Sequence, residues 1–377
     1  MESVFTNARL VLDDTIIDGT LVVRDGRIAA VDEGRSHAAA ALDCAGDMVC
    51  PGLIDLHTDA LESHFVPRPK VFWPDARAAA LAHDGQVVAS GITTVFDAIC
   101  AGGFDQAKAE RRELFTIMLD AVDANSALFR ADHHIHLRCE MTDPTLLALA
   151  TPALDRPRVT LASLMDHTPG ARQWRNVESL RTFLLGIGKS AAEAEVEIET
   201  RSARGRAAVA DNFQALADLL REKGVVRANH DDTTAAHVEL ARDAGCSISE
   251  FPTTLDAARA ARAAGLATIG GAPNVVRGGS HSNGIAMKDL AAENLLDALA
   301  SDYVPASLLQ AAVALHLRQG LPLPAALGLV TRAPARMAGL HDRGHLAPGL
   351  RADVTRFRIV EGTPVVRQVL VAGERVF

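Results

Sequence analysis

Imidazoles and carboxylates recur along this chain at places where an apolar run stops. His57 and Asp59 stand at the end of Met48-Val49-Cys50-Pro51-Gly52-Leu53-Ile54-Asp55-Leu56, a run that reads as a buried strand. Side chains two apart on a strand point the same way, so an imidazole and a carboxylate emerge together where it ends. A bare His-x-Asp is common by chance. It is followed here by Glu140, closing HHIHLRCE (133–140), then His167 after Leu164-Met165-Asp166, His230 after Ala228-Asn229, Glu250 closing SISE (247–250) and Asp302 in SDYVP (301–305). Each alone has an ordinary explanation, because a strand-end carboxylate often caps the next helix and a lone histidine is usually a packed one. Gathered at one end of successive strands, they make a metal site. The set His57, Asp59, Glu140, His167, His230 and Asp302 suits two divalent ions, Zn²⁺ or Mn²⁺ rather than Ca²⁺ or Mg²⁺. Glu140 is the candidate bridge. Two such ions, about 3.5–4 Å apart, bring the pKa of water toward about 7, and Asp302 would orient that nucleophile and take its proton.

Two further segments point to an anionic substrate. Pro67-Arg68-Pro69-Lys70 follows the first ligand strand, and the prolines stiffen a loop that holds Arg68 and Lys70 near its end. GGAPNVVRGGSHS (270–282) offers Arg277 as a planar fork for phosphate oxygens and the Gly278, Gly279 and Ser280 amides as an anion cradle, with Lys288 just beyond. His281, in the same segment, either donates a proton to a departing group or holds it by a hydrogen bond.

Such residues need a frame that brings strand ends together. Apolar runs at 92–98, 133–139, 159–165, 225–229, 246–250, 266–270 and 298–302, with the one ending at His57, alternate with alanine- and leucine-rich helical stretches at 75–90, 107–124, 233–244 and 287–297. Alternation of this kind implies parallel strands with helical crossovers, and eight units predict an α/β protein with a (β/α)8 TIM-like barrel over 51–344. A doubly wound open sheet is the other arrangement, but no G-x-G-x-x-G follows the first strand. Residues 1–50 and 345–377 both read as short strands and turns, predicting one small β-sandwich built from the two chain ends. Residues 186–206 read as an exposed helical excursion.

The composition bounds the function. The 377 residues carry a formal net charge of -9, which argues against a general binder of nucleic acid or acidic membrane. No apolar run reaches the length of a membrane span, and the N-terminus lacks a basic region followed by an apolar one, so a cytoplasmic protein is expected. Five cysteines without C-x-x-C spacing fit reduced thiols. The sequence is compatible with a homo-oligomer and does not fix its order.

The motifs resemble the amidohydrolase superfamily, and within it the diphosphatases of the carbon–phosphorus lyase pathway. The matching stretches include PGLIDLHTDALESHFVPRPKVFWP (51–74), SGITTVFDA (90–98), HLRCE (136–140), VTLASLMDHTPGARQ (159–173), NHDDTTAAHV (229–238), EFPTT (250–254), GAPNVVRGGSHS (271–282) and ASDYVPASLL (300–309). The resemblance implies metal-dependent hydrolysis of a phosphorylated sugar, α-D-ribose 1-methylphosphonate 5-triphosphate, to the 5-phosphate plus pyrophosphate. It implies the same six ligand positions. The superfamily's His-x-His is His-x-Asp here, no strand-end lysine offers a carbamate bridge, and Ala60 stands where many relatives have Asn. A deacylase or cyclic amidase on the same scaffold is the alternative, and a barrel that binds without turnover is a third reading.

Overall fold

The computed structural model describes residues 2–68, 71–103, 109–280 and 284–377. Lys70 and His281 lie outside the described residues. Among the described residues, sixteen strands form two sheets. The first contains β1 (Glu2–Val11), β2 (Ile16–Arg24), β3 (Arg27–Glu33), β4 (Leu42–Asp43), β5 (Met48–Pro51), β14 (Val354–Val360), β15 (Thr363–Val371) and β16 (Glu374–Arg375). It joins the two chain ends, because β5 pairs antiparallel with β14 and parallel with β1. Phe5, Leu10, Leu21, Val49, Val354 and Leu370 from both ends share one buried cluster there.

The second sheet is wholly parallel: β6 (Leu53–Thr58), β7 (Ile92–Ala101), β8 (Asp132–Glu140), β9 (Val159–Met165), β10 (Val226–His230), β11 (Ile248–Glu250), β12 (Ala267–Gly271) and β13 (Ala298–Ala300) run in neighbour order. These strands are buried on both faces, as parallel strands wrapped by helices must be. Closure comes at the top. A parallel bridge joins Thr58 to Asp302, and Asp302 N–H donates to the His57 carbonyl at 2.9 Å. The open-sheet alternative is thereby excluded.

Two expectations need revising. The apolar run at 48–56 is two strands, not one. It leaves the terminal sheet and enters the barrel at Gly52, where a Cβ would fall 2.2 Å from Thr93 Oγ1, so only glycine permits the close approach. The stretch 186–206 belongs mostly to one 33-residue helix, Ala191–Lys223, started by a Ser190–Glu193 capping box and ended by Gly224 in the left-handed region. That helix is not simply exposed. Ala194 and Ile198 bury against Trp174, Leu180 and Leu184 in a satellite core. Among the described residues, no helix is long and apolar enough to cross a membrane.

Candidate metal centre

Among the described residues, four groups of side chains could hold a metal ion, and two of them stand at the ends of the barrel strands facing one cleft. His57, Asp59 and Asp302 offer ligand atoms within 4.8 Å of one another, and so do His167, His230 and Asp231. Both groups line one cleft at the barrel mouth. Backbone geometry aims them. Asp231 and Asp302 follow β10 and β13 with φ of 56° and 57°. This left-handed conformation is uncommon outside glycine, most tolerable in Asp and Asn, and concentrated at functional sites. It breaks strand alternation, so Asp231 turns toward the same cleft as His230.

Glu250 fixes two of the rings. It is fully buried and accepts from His57 Nδ1 at 2.8 Å, His230 Nδ1 at 2.6 Å and Ser163 Oγ at 2.7 Å. With both Nδ1 atoms donating, the two Nε2 lone pairs are left for the cleft. Glu140, the expected bridge, instead stands behind His167, with Oε2 at 2.5 Å from His167 Nδ1 while Oε1 accepts from Thr142. Burial alone would lower the pKa of His57, but Glu250 and Asp59 outweigh it and raise it to about 10, so an ion takes the Nε2 lone pair in exchange for the proton held there. Burial likewise opposes ionisation of Glu140, yet His167 and Thr142 bring it down to about 2.

Residues 191–377 match the model of the amidohydrolase family. The alpha-D-ribose 1-methylphosphonate 5-triphosphate diphosphatase of Escherichia coli strain K12 is 41% identical over 99% of this chain and 100% of its own length. The chain belongs to the amidohydrolase family. Solved structures agree on the fold of this amidohydrolase. N-isopropylammelide isopropylaminohydrolase from Burkholderia multivorans superposes with a TM-score of 0.67 at 17% identity, over 100% of this chain and 98% of its own. N-acetyl-D-glucosamine-6-phosphate deacetylase from Mycobacterium smegmatis gives 0.65 at 18%, over 100% of both chains. At those identities the likeness concerns the fold alone.

The donors fit the divalent metal that the family implies. Atoms bound about 2.0–2.2 Å from one tetrahedral ion lie about 3.3–3.6 Å apart. His57 Nε2 is 3.5 Å from Asp59 Oδ1, and Asp231 Oδ2 is 3.4 Å from His230 Nε2 and 3.8 Å from His167 Nε2. His57 Nε2 and Asp231 Oδ2 are buried without a hydrogen-bond partner, which is costly unless something else satisfies them.

Among the described residues, the basic and glycine-rich segments of the amidohydrolase do not form the expected anion cradle. Arg68, Arg277 and Lys288 are exposed, and none lines the cleft. Gly278 and Gly279 both donate their N–H to the Asn274 carbonyl at 3.0 Å, closing the helix Ala272–Arg277. Their amides are therefore spent on a helix C-terminus, the end that repels anions. Ser280 does reach the cleft. The cation that lines it is Arg138, whose Nη1 donates to both Asp59 oxygens at 2.7 and 2.9 Å.

Sequence reasoning missed Asp231, Arg138 and the role of Glu250. Only Arg138 left a usable signal, its two-residue spacing from Glu140 on one strand. Replacing Glu250 by Gln should weaken metal binding about 10–100-fold, since outer carboxylates on ligand histidines contribute that much. Residual metal after dialysis against a graded chelator checks this, and wild-type retention would show that Glu250 does not orient the rings for an ion.

Proposed function

We infer that this chain hydrolyses α-D-ribose 1-methylphosphonate 5-triphosphate to the ribosyl 5-phosphate and pyrophosphate, with two divalent ions of the Zn²⁺ or Mn²⁺ type. The identity of 41% along essentially the whole chain to a diphosphatase of that substrate carries the reading. The paired donor groups support it. His57, Asp59 and Asp302 would hold one ion, and His167, His230 and Asp231 the other, with Glu250 and Glu140 positioning the rings from behind. Bound divalent ions supply charge neutralisation at the phosphoryl oxygens and lower the pKa of water.

The protein's own groups do the rest. Asp302 stands at the mouth, pinned through its backbone to His57 and Asp59, and takes the proton as water attacks phosphorus. The anhydride bond between the innermost and middle phosphorus atoms breaks, with pyrophosphate departing when the innermost is attacked and the 5-phosphate departing when the middle one is. Ser280 and Asn274 line the same cleft, where the Asn274 side chain donates to the Ile285 carbonyl at 3.0 Å and accepts from the Met287 N–H at 2.9 Å, which shapes the wall beside the triphosphate.

The test is ³¹P NMR of the ribosyl triphosphate incubated with metal-loaded protein in ¹⁸O water. Pyrophosphate and the 5-phosphate should appear together. The label in the sugar phosphate marks attack on the innermost phosphorus, and the label in pyrophosphate marks attack on the middle one. Orthophosphate as the sole released product would reject the reading.

A further inference from the structure

We propose that Arg138 makes the two donor groups unequal, so that His57, Asp59 and Asp302 form the weaker metal site and fill last. The inference rests on the metal-centre reading above.

Arg138 lies on β8, two residues before Glu140. Its guanidinium nitrogen Nη1 spans both oxygens of Asp59, with the two side chains 19% and 34% exposed. Among the described residues lining the cleft it is the one arginine or lysine. A guanidinium stays charged under all working conditions. An ion bound by Asp59 must therefore share that carboxylate with a permanent cation, and it meets like charge at contact distance, where a part-buried setting screens it less than bulk water does.

The other group has no such competitor in contact. Asp231 Oδ2 has no hydrogen-bond partner, and Glu140 adds a second carboxylate behind His167. The field of Arg138 extends to His167, but its hydrogen bonds go to Asp59. Asp59 and Asp302 less Arg138 leave one negative charge, and Asp231 with Glu140 gives two, while Glu250 serves a ring of each group and the buried Arg172 beside His230 is paired with Asp232.

The experiment titrates metal-free full-length protein with Zn²⁺ in competition with a chromophoric chelator. Wild type should bind in two steps more than about tenfold apart. Asp302→Asn should weaken the second step and leave the first in place, which assigns it. Arg138→Gln keeps a hydrogen-bond donor beside Asp59 and removes the charge. It should tighten the second step about tenfold or more, whereas Arg138→Lys should leave it weak. Two equal steps in wild type would overturn the inference even if the Arg138 variants failed to fold. A second step loosened or unchanged by Arg138→Gln would make Arg138 a clamp on Asp59 and also overturn it. Absence of any binding step would instead remove the metal centre itself.

Discussion

Asp302→Asn is expected to lower kcat by about 10²–10⁴-fold at saturating metal, with a much smaller effect on KM, as befits loss of a proton acceptor. The substitution is nearly isosteric. Asparagine also tolerates the left-handed backbone that Asp302 adopts at φ 57°. Three backbone contacts are unaffected by the side-chain change: Asp302 N–H to the His57 carbonyl at 2.9 Å, Asp59 N–H to the Asp302 carbonyl at 2.6 Å and Thr58 Oγ1 to that carbonyl at 3.0 Å. The barrel therefore stays closed, and the fall in rate reports chemistry. Assays of pyrophosphate release with excess metal separate this from weaker ion binding. A kcat within about tenfold of wild type would remove the proton-accepting role.

The barrel was legible because each strand is an apolar run and most of the runs stop at a polar residue with chemistry to do, β7 and β12 excepted. His57, Asp59, His167, His230 and Asp302 could be placed at one mouth on that pattern alone. What escaped depended on backbone direction. Asp231 directly follows His230, so simple alternation points it away, and only the positive φ after β10 returns it to the cleft. The segment after Arg277 was misread for a related reason. Glycines cradle an anion when they precede a helix, but Gly278 and Gly279 follow one, and sequence alone did not show the short helix Ala272–Arg277. Gly52 escaped because the run around it is uniformly apolar. Its crossing between sheets is visible only from the proximity of Thr93.

A second cluster, away from the cleft, predicts a stability effect of comparable weight. The helix Ala76–Ala89 is fastened to β7 and β8 by buried ionisable groups, with His83 Nε2 2.7 Å from Asp97 Oδ1 and His133 Nδ1 2.8 Å from Asp97 Oδ2. His133 Nε2 lies 3.3 Å from Asp84, whose same oxygen also accepts the Arg130 and Ala131 amides. Both nitrogens of His133 thus face carboxylates. Burial alone would lower its pKa, but Asp97 and Asp84 outweigh this and raise it to about 9. Asp97→Asn removes the central charge and leaves an imidazolium short of its partner, at a cost of about 3–5 kcal/mol. Against a total of about 5–15 kcal/mol, that is a large fraction. The pH dependence identifies the cause. A histidine whose pKa rises on folding stabilises fully below its unfolded value of about 6.5, and that contribution is lost as pH climbs through about 9. The carboxylates of Asp84 and Asp97 are shifted downward, burial opposing and His133 outweighing it, so their contribution holds above the ordinary range and fades only in acid. Wild type should therefore lose stability between pH 6.5 and 9, and Asp97→Asn should make that limb shallower, leaving the part due to His57, while lowering the whole curve. Denaturant midpoints at those two pH values measure both effects. A loss below about 1 kcal/mol, or an unchanged slope, would mean that the cluster is held by packing and not by charge.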